Sequence, residues 1–139
     1  MPIEDLARSD VVTAAPDTSV AALATMMEDE NVGSIVITDG NTPVGIVTDR
    51  DLTIRVLGAG VDPEAQTAED VMTEDVQLID RDAGFYEAAE LMSDHGIRRL
   101  PVRDGESLAG IITADDLTEL LADEEQKLAE VIRSQRPAY

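Results

Sequence analysis

One octapeptide occurs twice in this chain of 139 residues. Residues 45–52 are GIVTDRDL and residues 110–117 are GIITADDL, an offset of 65 positions. The same offset aligns Asp39-Gly40 with Asp104-Gly105 without a gap. A period of this size indicates two copies of one supersecondary unit, each too small to bury its apolar face alone. We therefore expect a single module whose two halves pack on each other.

Each copy carries the same order of expected elements. A short apolar strand (11–13; 76–79) precedes an aspartate at the expected helix start, Asp17 or Asp82, and the helix ends at Asn31 or Gly96, which tolerate a left-handed backbone. Two strands around an Asp-Gly turn follow, at 34–38 and 44–47 and again at 100–103 and 108–112. A second helix begins at each octapeptide threonine. The unit is β-α-β-β-α, which predicts a mixed α/β (α+β) fold.

The repeats predict the boundaries of the chain. Two glycines and a proline in residues 58–67 indicate a linker, so we expect repeat 1 at 1–58, a linker at 59–67 and repeat 2 at 68–122. A helical extension, 123–139, follows, because apolar residues keep helical spacing until Pro137. This C-terminal stripe consists of Leu117, Leu120, Leu121, Leu128, Val131 and Ile132. We expect the stripe to be covered by the module or by a second chain.

Composition argues against several kinds of chemistry. The chain has no cysteine, and its single histidine, His95, is expected only to stabilise the end of a helix. Thiolate chemistry and disulfides are therefore excluded, and a histidine metal site or a Ser/His/Asp triad is disfavoured. The apolar runs are too short for a membrane span, and the first residues do not resemble a signal peptide.

The charge of the chain is strongly acidic. It has 30 Asp and Glu against 10 Lys and Arg, a formal net charge of −20, and Lys127 is its only lysine. Nucleic acid and anionic membranes would repel such a surface, so we expect neither as a partner. Molar salt shortens the Debye length to about 3 Å and suppresses the self-repulsion. We therefore expect a cytoplasmic protein in a high-salt cytosol, as in a halophilic archaeon. An ordinary acidic cytosolic protein and a basic partner are the alternatives.

The duplicated G-h-h-T-x-x-D-L motif, where h is apolar, resembles that of cystathionine-β-synthase (CBS) domains. The resemblance covers nearly the whole chain and extends to GAGVDP after the first motif and RRLPV in the second repeat. It implies two tandem CBS repeats packed sheet to sheet as one pseudo-twofold module, known as a Bateman module. It also implies two clefts between the repeats and a flat homodimer formed through the helices.

The T-x-x-D pairs have a structural and a functional interpretation. Thr48 with Asp51, and Thr113 with Asp116, match a capping box, which accounts for the local sequence. A helix start with free N–H groups and a hydroxyl can also bind an anion, and a nearby carboxylate can accept ribose hydroxyls. In CBS domains the threonine typically meets phosphate and the aspartate meets ribose, and the resemblance implies those roles here.

The two copies differ close to these motifs. The first motif contains Arg50, whereas the second has Asp115, a negative charge near any phosphate. Repeat 2 has Arg98 and Arg99 where repeat 1 has glycine and serine. In so acidic a chain, Arg98, Arg99 and Arg103, together with Arg50, are candidate phosphate ligands; the alternative is pairing with surface acids.

These features predict a regulatory module with no required cofactor and no catalytic residue. By resemblance, its ligand is AMP, ADP, ATP or S-adenosylmethionine, and the output passes to an unidentified effector protein. The alternatives are a ligand-free structural dimerisation or adaptor module and a nucleotide hydrolase. The hydrolase is disfavoured because capping explains the acids at the helix starts.

Overall fold

The computed structural model describes residues 2–136, and repeat 1 has the expected order of elements. In chain order these are β1 (Thr13–Ala14), α1 (Val20–Glu30), β2 (Ser34–Asp39), β3 (Thr42–Thr48) and α2 (Asp49–Leu52), which continues as a π-helical turn (Thr53–Leu57). β1 pairs with β2 in parallel, and β2 pairs with β3 antiparallel. The first repeat is therefore a three-stranded sheet, β1-β2-β3, with helices packed on it.

Repeat 2 has the same elements, preceded by the short helix α3 (Ala68–Val71). They are β4 (Ile79–Asp80), α4 (Phe85–His95), β5 (Arg99–Asp104), β6 (Ser107–Thr113) and the long helix α5 (Ala114–Ser134). Its sheet has the order β4-β5-β6. Each hairpin shifts register once, between Ile37 and Thr38 or between Val102 and Arg103, 65 residues later. The duplication therefore extends to the register of individual residue pairs in the two hairpins. The mixed α/β fold predicted from the sequence is confirmed.

The α1 and α4 helices begin later than predicted. Asp17 and Asp82 do not start them; α1 begins at Val20 and α4 at Phe85. Asp17 and Asp82 lie in turns, and the residues that follow them pair with a distant segment instead of beginning a helix: Ala68 donates to Thr18 O at 2.8 Å, and Ile3 donates to Ala83 O at 2.7 Å. The helix ends were correctly predicted, with Asn31 at φ 54° and Gly96 at φ 62°.

The strands also differ slightly from the expected bounds. The first strand of each repeat has only two residues and begins later than predicted, because its parallel pairing starts at Thr13 or Ile79. The hairpin strands are longer than predicted and extend to the turns. Gly40 and Gly105 occupy those turns at φ 67° and 63°, where an L side chain would be strained.

Each repeat has its own apolar core, but each core contains residues from the first segment of the other repeat. Ile3, from a 3₁₀ turn (Ile3–Asp5) at the start of repeat 1, is fully buried in the core of repeat 2 with Leu100 and Ile112. Ala68 and Val71 of α3, at the start of repeat 2, are buried in the core of repeat 1. Full burial of a side chain such as Ile3 contributes about 1.5 to 3 kcal/mol. We call residues 3–8 and 68–73 the exchanged leaders.

The exchanged leaders cross β6 and β3 at the octapeptide glycines. Arg8 exchanges two backbone hydrogen bonds with Ile111, both 2.9 Å, and Thr73 exchanges two with Ile46, at 3.0 and 3.2 Å. A Cβ on Gly110 would lie 2.8 Å from Arg8 O, and one on Gly45 would lie 3.1 Å from Thr73 O and would clash with the Met72 side chain. The two crossings are related by the 65-residue offset, which gives the module its pseudo-twofold symmetry.

The α5 helix extends beyond the module and ends at Ser134. Leu117 is buried at its start, whereas the later stripe residues are more than half exposed: Leu121, Leu128, Val131 and Ile132. Residues 2–136 therefore do not cover most of the C-terminal stripe. Pro137, expected to end the stripe, and the remainder of the extension lie outside the described residues. Within residues 2–136, no helix combines the length and apolarity that a membrane crossing requires.

Candidate functional site

Both T-x-x-D motifs form complete capping boxes. Thr48 Oγ1 accepts from Asp51 N at 3.2 Å, and Asp51 Oδ2 accepts from Thr48 N at 2.9 Å. In repeat 2, Thr113 Oγ1 accepts from Asp116 N at 3.2 Å, and Asp116 Oδ2 accepts from Thr113 N at 3.0 Å. The boxes hold each threonine hydroxyl and each aspartate carboxylate in a fixed position at the end of a strand. Each hydroxyl can still donate its proton.

The helix starts are less open to an anion than expected. In repeat 1, Asp49 N donates to Gly33 O at 3.0 Å and Arg50 N donates to Asp49 Oδ1 at 2.9 Å. With Asp51 N bound to Thr48, the first three N–H groups of α2 are all satisfied within the protein. In repeat 2, Ala114 N donates to Arg98 O at 2.8 Å. A phosphate in the first cleft would therefore depend on side chains more than on helix N–H groups.

The first cleft contains the Thr48–Asp51 motif, and both repeats contribute to it. Repeat 1 supplies the end of β3 and the start of α2, the exchanged leader supplies Thr73, and repeat 2 supplies the loop between α4 and β5. The cleft has a volume of about 280 Å³. Its lining residues are Ile46, Thr48, Asp49, Arg50, Asp51, Thr73, Gly96, Ile97, Arg98 and Arg99. Three arginines face two aspartates here, so the cleft is basic within a protein of net charge −20.

The second cleft is its pseudo-twofold mate and has a volume of about 250 Å³. Thr113 and Asp115 replace Thr48 and Arg50, and Gly33 and Ser34 replace Arg98 and Arg99. Arg99 also reaches this cleft, as does Arg8. Its acids include Asp10 and Asp115. The second cleft thus lacks the concentration of arginines that marks the first.

The carboxylate of the second motif is already paired. Arg8 Nη2 donates to Asp116 Oδ1 at 2.9 Å, so both carboxylate oxygens of Asp116 are engaged. Partial burial of Asp116 disfavours its charge, but the hydrogen bonds from Arg8 and Thr113 outweigh burial and hold its pKa below the usual range. Hydrogen bonding to Asp116 raises the pKa of the Arg8 guanidinium.

The first motif has no such partner. Among the described residues, no hydrogen bond reaches Asp51 Oδ1, and the nearest cationic atom is Arg55 Nε at 3.9 Å. The Asp51 side chain is 16% exposed, and Asp51 lines the first cleft. Its Oδ1 atom has the position and the free lone pairs to accept sugar hydroxyls.

The structure brings most of the predicted site residues together, with two exceptions, Arg103 and Asp116; Asp116 is held by Arg8 and does not itself line the second cleft. Arg50, Arg98 and Arg99 line the first cleft together, although they come from different repeats and the sequence had assigned Arg50 to one copy and Arg98 and Arg99 to the other. Arg103 does not, because it lies on β5 toward the hairpin and donates to Asp80 at 2.7 Å. Its inclusion among the phosphate ligands was wrong, and its ion-pair alternative holds. Asp115 lines the second cleft and pairs with Arg98 at 3.2 Å, a contact that is largely exposed.

Two residues of the clefts were missed from the sequence. Arg8 and Thr73 lie in the exchanged leaders, far along the chain from the motifs that they approach. The 65-residue offset pairs them with each other, so extending the repeat alignment ahead of the first strand would have marked this position as different in the two copies. His95 behaves as predicted, with its Nδ1 3.0 Å from Leu91 O in the last turn of α4.

Comparison with known proteins agrees with this architecture. The family model described as "CBS domain" matches residues 3–58 and again 68–123. Protein MK0525 of Methanopyrus kandleri is 38% identical over 85% of this chain and 61% of its own length, so this chain spans less than two thirds of that relative. Hypoxic response protein 1 of Mycobacterium tuberculosis is 30% identical over 86% of this chain and 84% of its own.

A solved structure gives the same result. The CBS domain pair of protein MJ0100, in complex with 5′-methylthioadenosine and S-adenosylmethionine, superposes with a TM-score of 0.81. It is 25% identical in sequence and covers 89% of this chain and 98% of the other. The repeated motif, the two capped clefts and these similarities agree, and the chain belongs to the CBS domain family as a tandem pair.

Proposed function

We propose that this CBS pair is a regulatory module, not an enzyme, that binds an adenosine-containing ligand in its first cleft. The candidates are AMP, ADP, ATP and S-adenosylmethionine, and no other cofactor is required. Asp51 accepts the ribose hydroxyls, the Thr48 hydroxyl donates to phosphate, and Arg50, Arg98 and Arg99 neutralise the phosphate charge. Binding changes how the repeats are arranged, and an effector protein detects that change.

One observation carries this proposal: three arginines line the cleft that contains a T-x-x-D motif, in a chain whose formal net charge is −20. They come from both repeats and line one cleft of about 280 Å³, just below the usual range of about 300 to 1,000 Å³ for small-molecule pockets. Arginine is well suited to phosphate because its guanidinium presents several donors in one plane. The adenosine compounds in the similar CBS pair of MJ0100 support the choice of ligand class.

Calorimetric titration with the four candidates, in high salt, tests this proposal. We expect one of them to bind, and the Arg50→Ala and Arg98→Ala variants to weaken a phosphate-bearing ligand. Arg133→Ala, in the last turn of α5, is the matched control because it removes the same charge far from the cleft. Absence of binding by all four compounds would contradict the proposal.

A ligand-free adaptor is the second candidate, and two observations favour it. The capping boxes satisfy the motifs without a ligand, and the exposed C-terminal stripe offers an apolar contact surface. An adaptor would keep its assembly and partner when the first cleft is blocked by substitution. Titration with nucleotides separates it from the sensor.

We also propose that the protein forms a homodimer through its helices. Leu128 and Ile132, 65% and 63% exposed, present apolar surface that a second chain would cover. Light scattering should give twice the mass of one chain. Leu128→Glu with Ile132→Glu should yield monomers, whereas a parent that stays monomeric at micromolar concentration would contradict the homodimer. In this view the repeats remain 1–58 and 68–122, with 59–67 as linker and 123–139 as the dimerising extension.

The charge supports a cytoplasmic location in a high-salt cytosol. At 0.01 M salt the Debye length is about 30 Å, so the carboxylates of the folded chain repel one another across the whole module. The unfolded chain can separate these charges, so the melting temperature should rise from low to molar potassium chloride. A variant with several surface acids made neutral should lose much of that rise. Equal stability at both extremes would favour a basic partner instead.

A further inference from the structure

Among the positions at which the two clefts differ, one lies in the exchanged leaders and is occupied by Arg8 or Thr73. In the second cleft the guanidinium of Arg8 donates to Asp116 Oδ1 at 2.9 Å. The Asp116 side chain is 11% exposed, and Arg8, rather than Asp116, lines the second cleft. In the first cleft the equivalent residue is Thr73, whose side chain carries no charge and is too short to form an ion pair.

The backbone at this position is the same in both clefts. Arg8 exchanges two hydrogen bonds with Ile111, and Thr73 exchanges two with Ile46. Ile3 anchors the Arg8 leader in the core of repeat 2, and Ala68 anchors the Thr73 leader in the core of repeat 1. Because fold and backbone pairing are shared, the side chain alone determines whether the carboxylate is held.

We propose that Arg8 determines which cleft accepts ribose, by occupying Asp116 with a guanidinium and leaving Asp51 as the open site. The inference rests on the proposed function and extends it to specificity. A nucleoside entering the second cleft must displace Arg8 before Asp116 can accept its hydroxyls. Arg8 acts through Asp116 and is therefore a specificity-determining residue, not a direct ligand contact.

The size of the effect follows from the exposure of the pair. The Arg8 side chain is 66% exposed, so the contact counts as a surface ion pair, and the upper limit for such pairs is equivalent to roughly a fivefold change in affinity. Arg8→Thr reproduces the residue that nature uses at the equivalent position, so the leader should keep its backbone pairing. Thr73→Arg is the reciprocal exchange and should weaken the first cleft.

Calorimetry with 5′-methylthioadenosine tests the proposal, at the lowest salt at which the parent is folded. This probe has a ribose but no phosphate, so the loss of a positive charge in Arg8→Thr does not itself repel it. We expect the parent to bind one probe per chain, and Arg8→Thr to bind a second probe up to roughly fivefold more tightly than the parent does. Adding Asp116→Asn should abolish the gain, and Arg133→Thr, the charge-matched control, should show none.

The outcomes separate the two hypotheses. If the parent binds the probe in the first cleft and Arg8→Thr leaves second-cleft binding unchanged or weaker, Arg8 does not obstruct the cleft and this inference is wrong. Weaker binding would identify Arg8 as a ligand contact. If neither parent nor Arg8→Thr binds the probe, AMP or S-adenosylmethionine in either cleft, the proposed function fails and this inference falls with it.

Discussion

The two clefts share a backbone and differ in the side chains around it. Their capping hydrogen bonds agree to 0.1 Å, since Asp51 Oδ2 lies 2.9 Å from Thr48 N and Asp116 Oδ2 lies 3.0 Å from Thr113 N. Yet the outer oxygen of Asp116 is held by Arg8, whereas no hydrogen bond within residues 2–136 reaches that of Asp51. The first cleft gathers three arginines, and the second replaces Arg50 with Asp115.

This difference shows which parts of a duplicated unit are free to diverge. The threonine, aspartate and glycine of each motif have structural tasks, in caps and at the leader crossings, that both copies need. The arginines and Arg8 have no such task, since their positions hold other residues in the other copy. Functional asymmetry therefore lies outside the motif that defines the repeat.

The largest expected effect distinguishes the two aspartates as ribose ligands. Asp51→Ala should weaken the adenosine ligand by roughly ten- to a hundredfold, because it removes a charge-assisted contact of about 1.5 to 3 kcal/mol. Asp116→Ala, which tests the second cleft, should change that affinity little, because in the parent Arg8 already occupies the Asp116 carboxylate. Asp51→Asn keeps the capping acceptor and is the control for folding. Unchanged affinity in both alanine variants would reject the ribose assignment.

A second prediction compares the leader crossings. Gly110→Ala should destabilise the protein by about 2 to 3 kcal/mol, because its Cβ would meet the Arg8 backbone carbonyl at 2.8 Å. Gly45→Ala should cost less, about 1 to 2 kcal/mol, because its nearest obstacle is the flexible Met72 side chain. Urea unfolding measures both. Equal losses would show that the leaders adjust with equal ease.

The two capping boxes should contribute equally to the stability of the protein but differently to ligand binding. Thr48→Ala and Thr113→Ala should each cost about 1 kcal/mol, since each removes the same cap at 3.2 Å. Only Thr48→Ala should also weaken a phosphate-bearing ligand. Thermal unfolding and calorimetry on the same samples provide the comparison, and a ligand effect from Thr113→Ala alone would reverse the assignment of the clefts.

The smallest effect concerns the acid stability of the second cleft. The lowered pKa of Asp116 means that its ion pair stabilises the folded state fully above the usual aspartate pKa of about 3.9. That contribution is lost as the pH falls through the lowered pKa. Because the Arg8 side chain is 66% exposed, the contribution of this ion pair to the free energy of unfolding is at most about 1 kcal/mol.

Arg8→Thr should therefore reduce stability near neutral pH and differ less from the parent in strong acid. Denaturant unfolding between about pH 2 and 7 measures this, with Arg133→Thr as control for the many other carboxylates that titrate there. A difference between parent and Arg8→Thr that grows toward acid would contradict the ion-pair account.

Much of the fold could be predicted from the sequence because its signals are local and occur twice. Capping boxes, left-handed helix ends at Asn31 and Gly96, and Asp-Gly turns are each determined by a few neighbouring residues. Each of these signals recurs in the second copy, 65 residues later. The family resemblance followed from the same residues, whereas the convergence of Arg50 with Arg98 and Arg99 appeared only in the tertiary structure.

The exchanged leaders could not be predicted in this way. Residues 17–19 were expected to begin a helix, but Asp17 lies in a turn, and Thr18 and Ser19 pair with residues near Thr67, almost 50 positions later. Ile3 lies in a short acidic segment with Leu6 and Ala7 as its apolar neighbours, and nothing near it in sequence indicates burial in the opposite core. Such pairings depend on which surfaces meet after both repeats have formed.

The sequence by itself thus determined the repeat unit, its caps and turns, and the charge that sets its solution behaviour, since these depend on neighbouring residues and on composition. The tertiary structure alone decided that Arg8 reaches Asp116 across 108 positions and that Arg103 lies away from the clefts. The physical reason is that an ion pair forms between side chains within about 4 Å of each other, and only the packed module sets that distance.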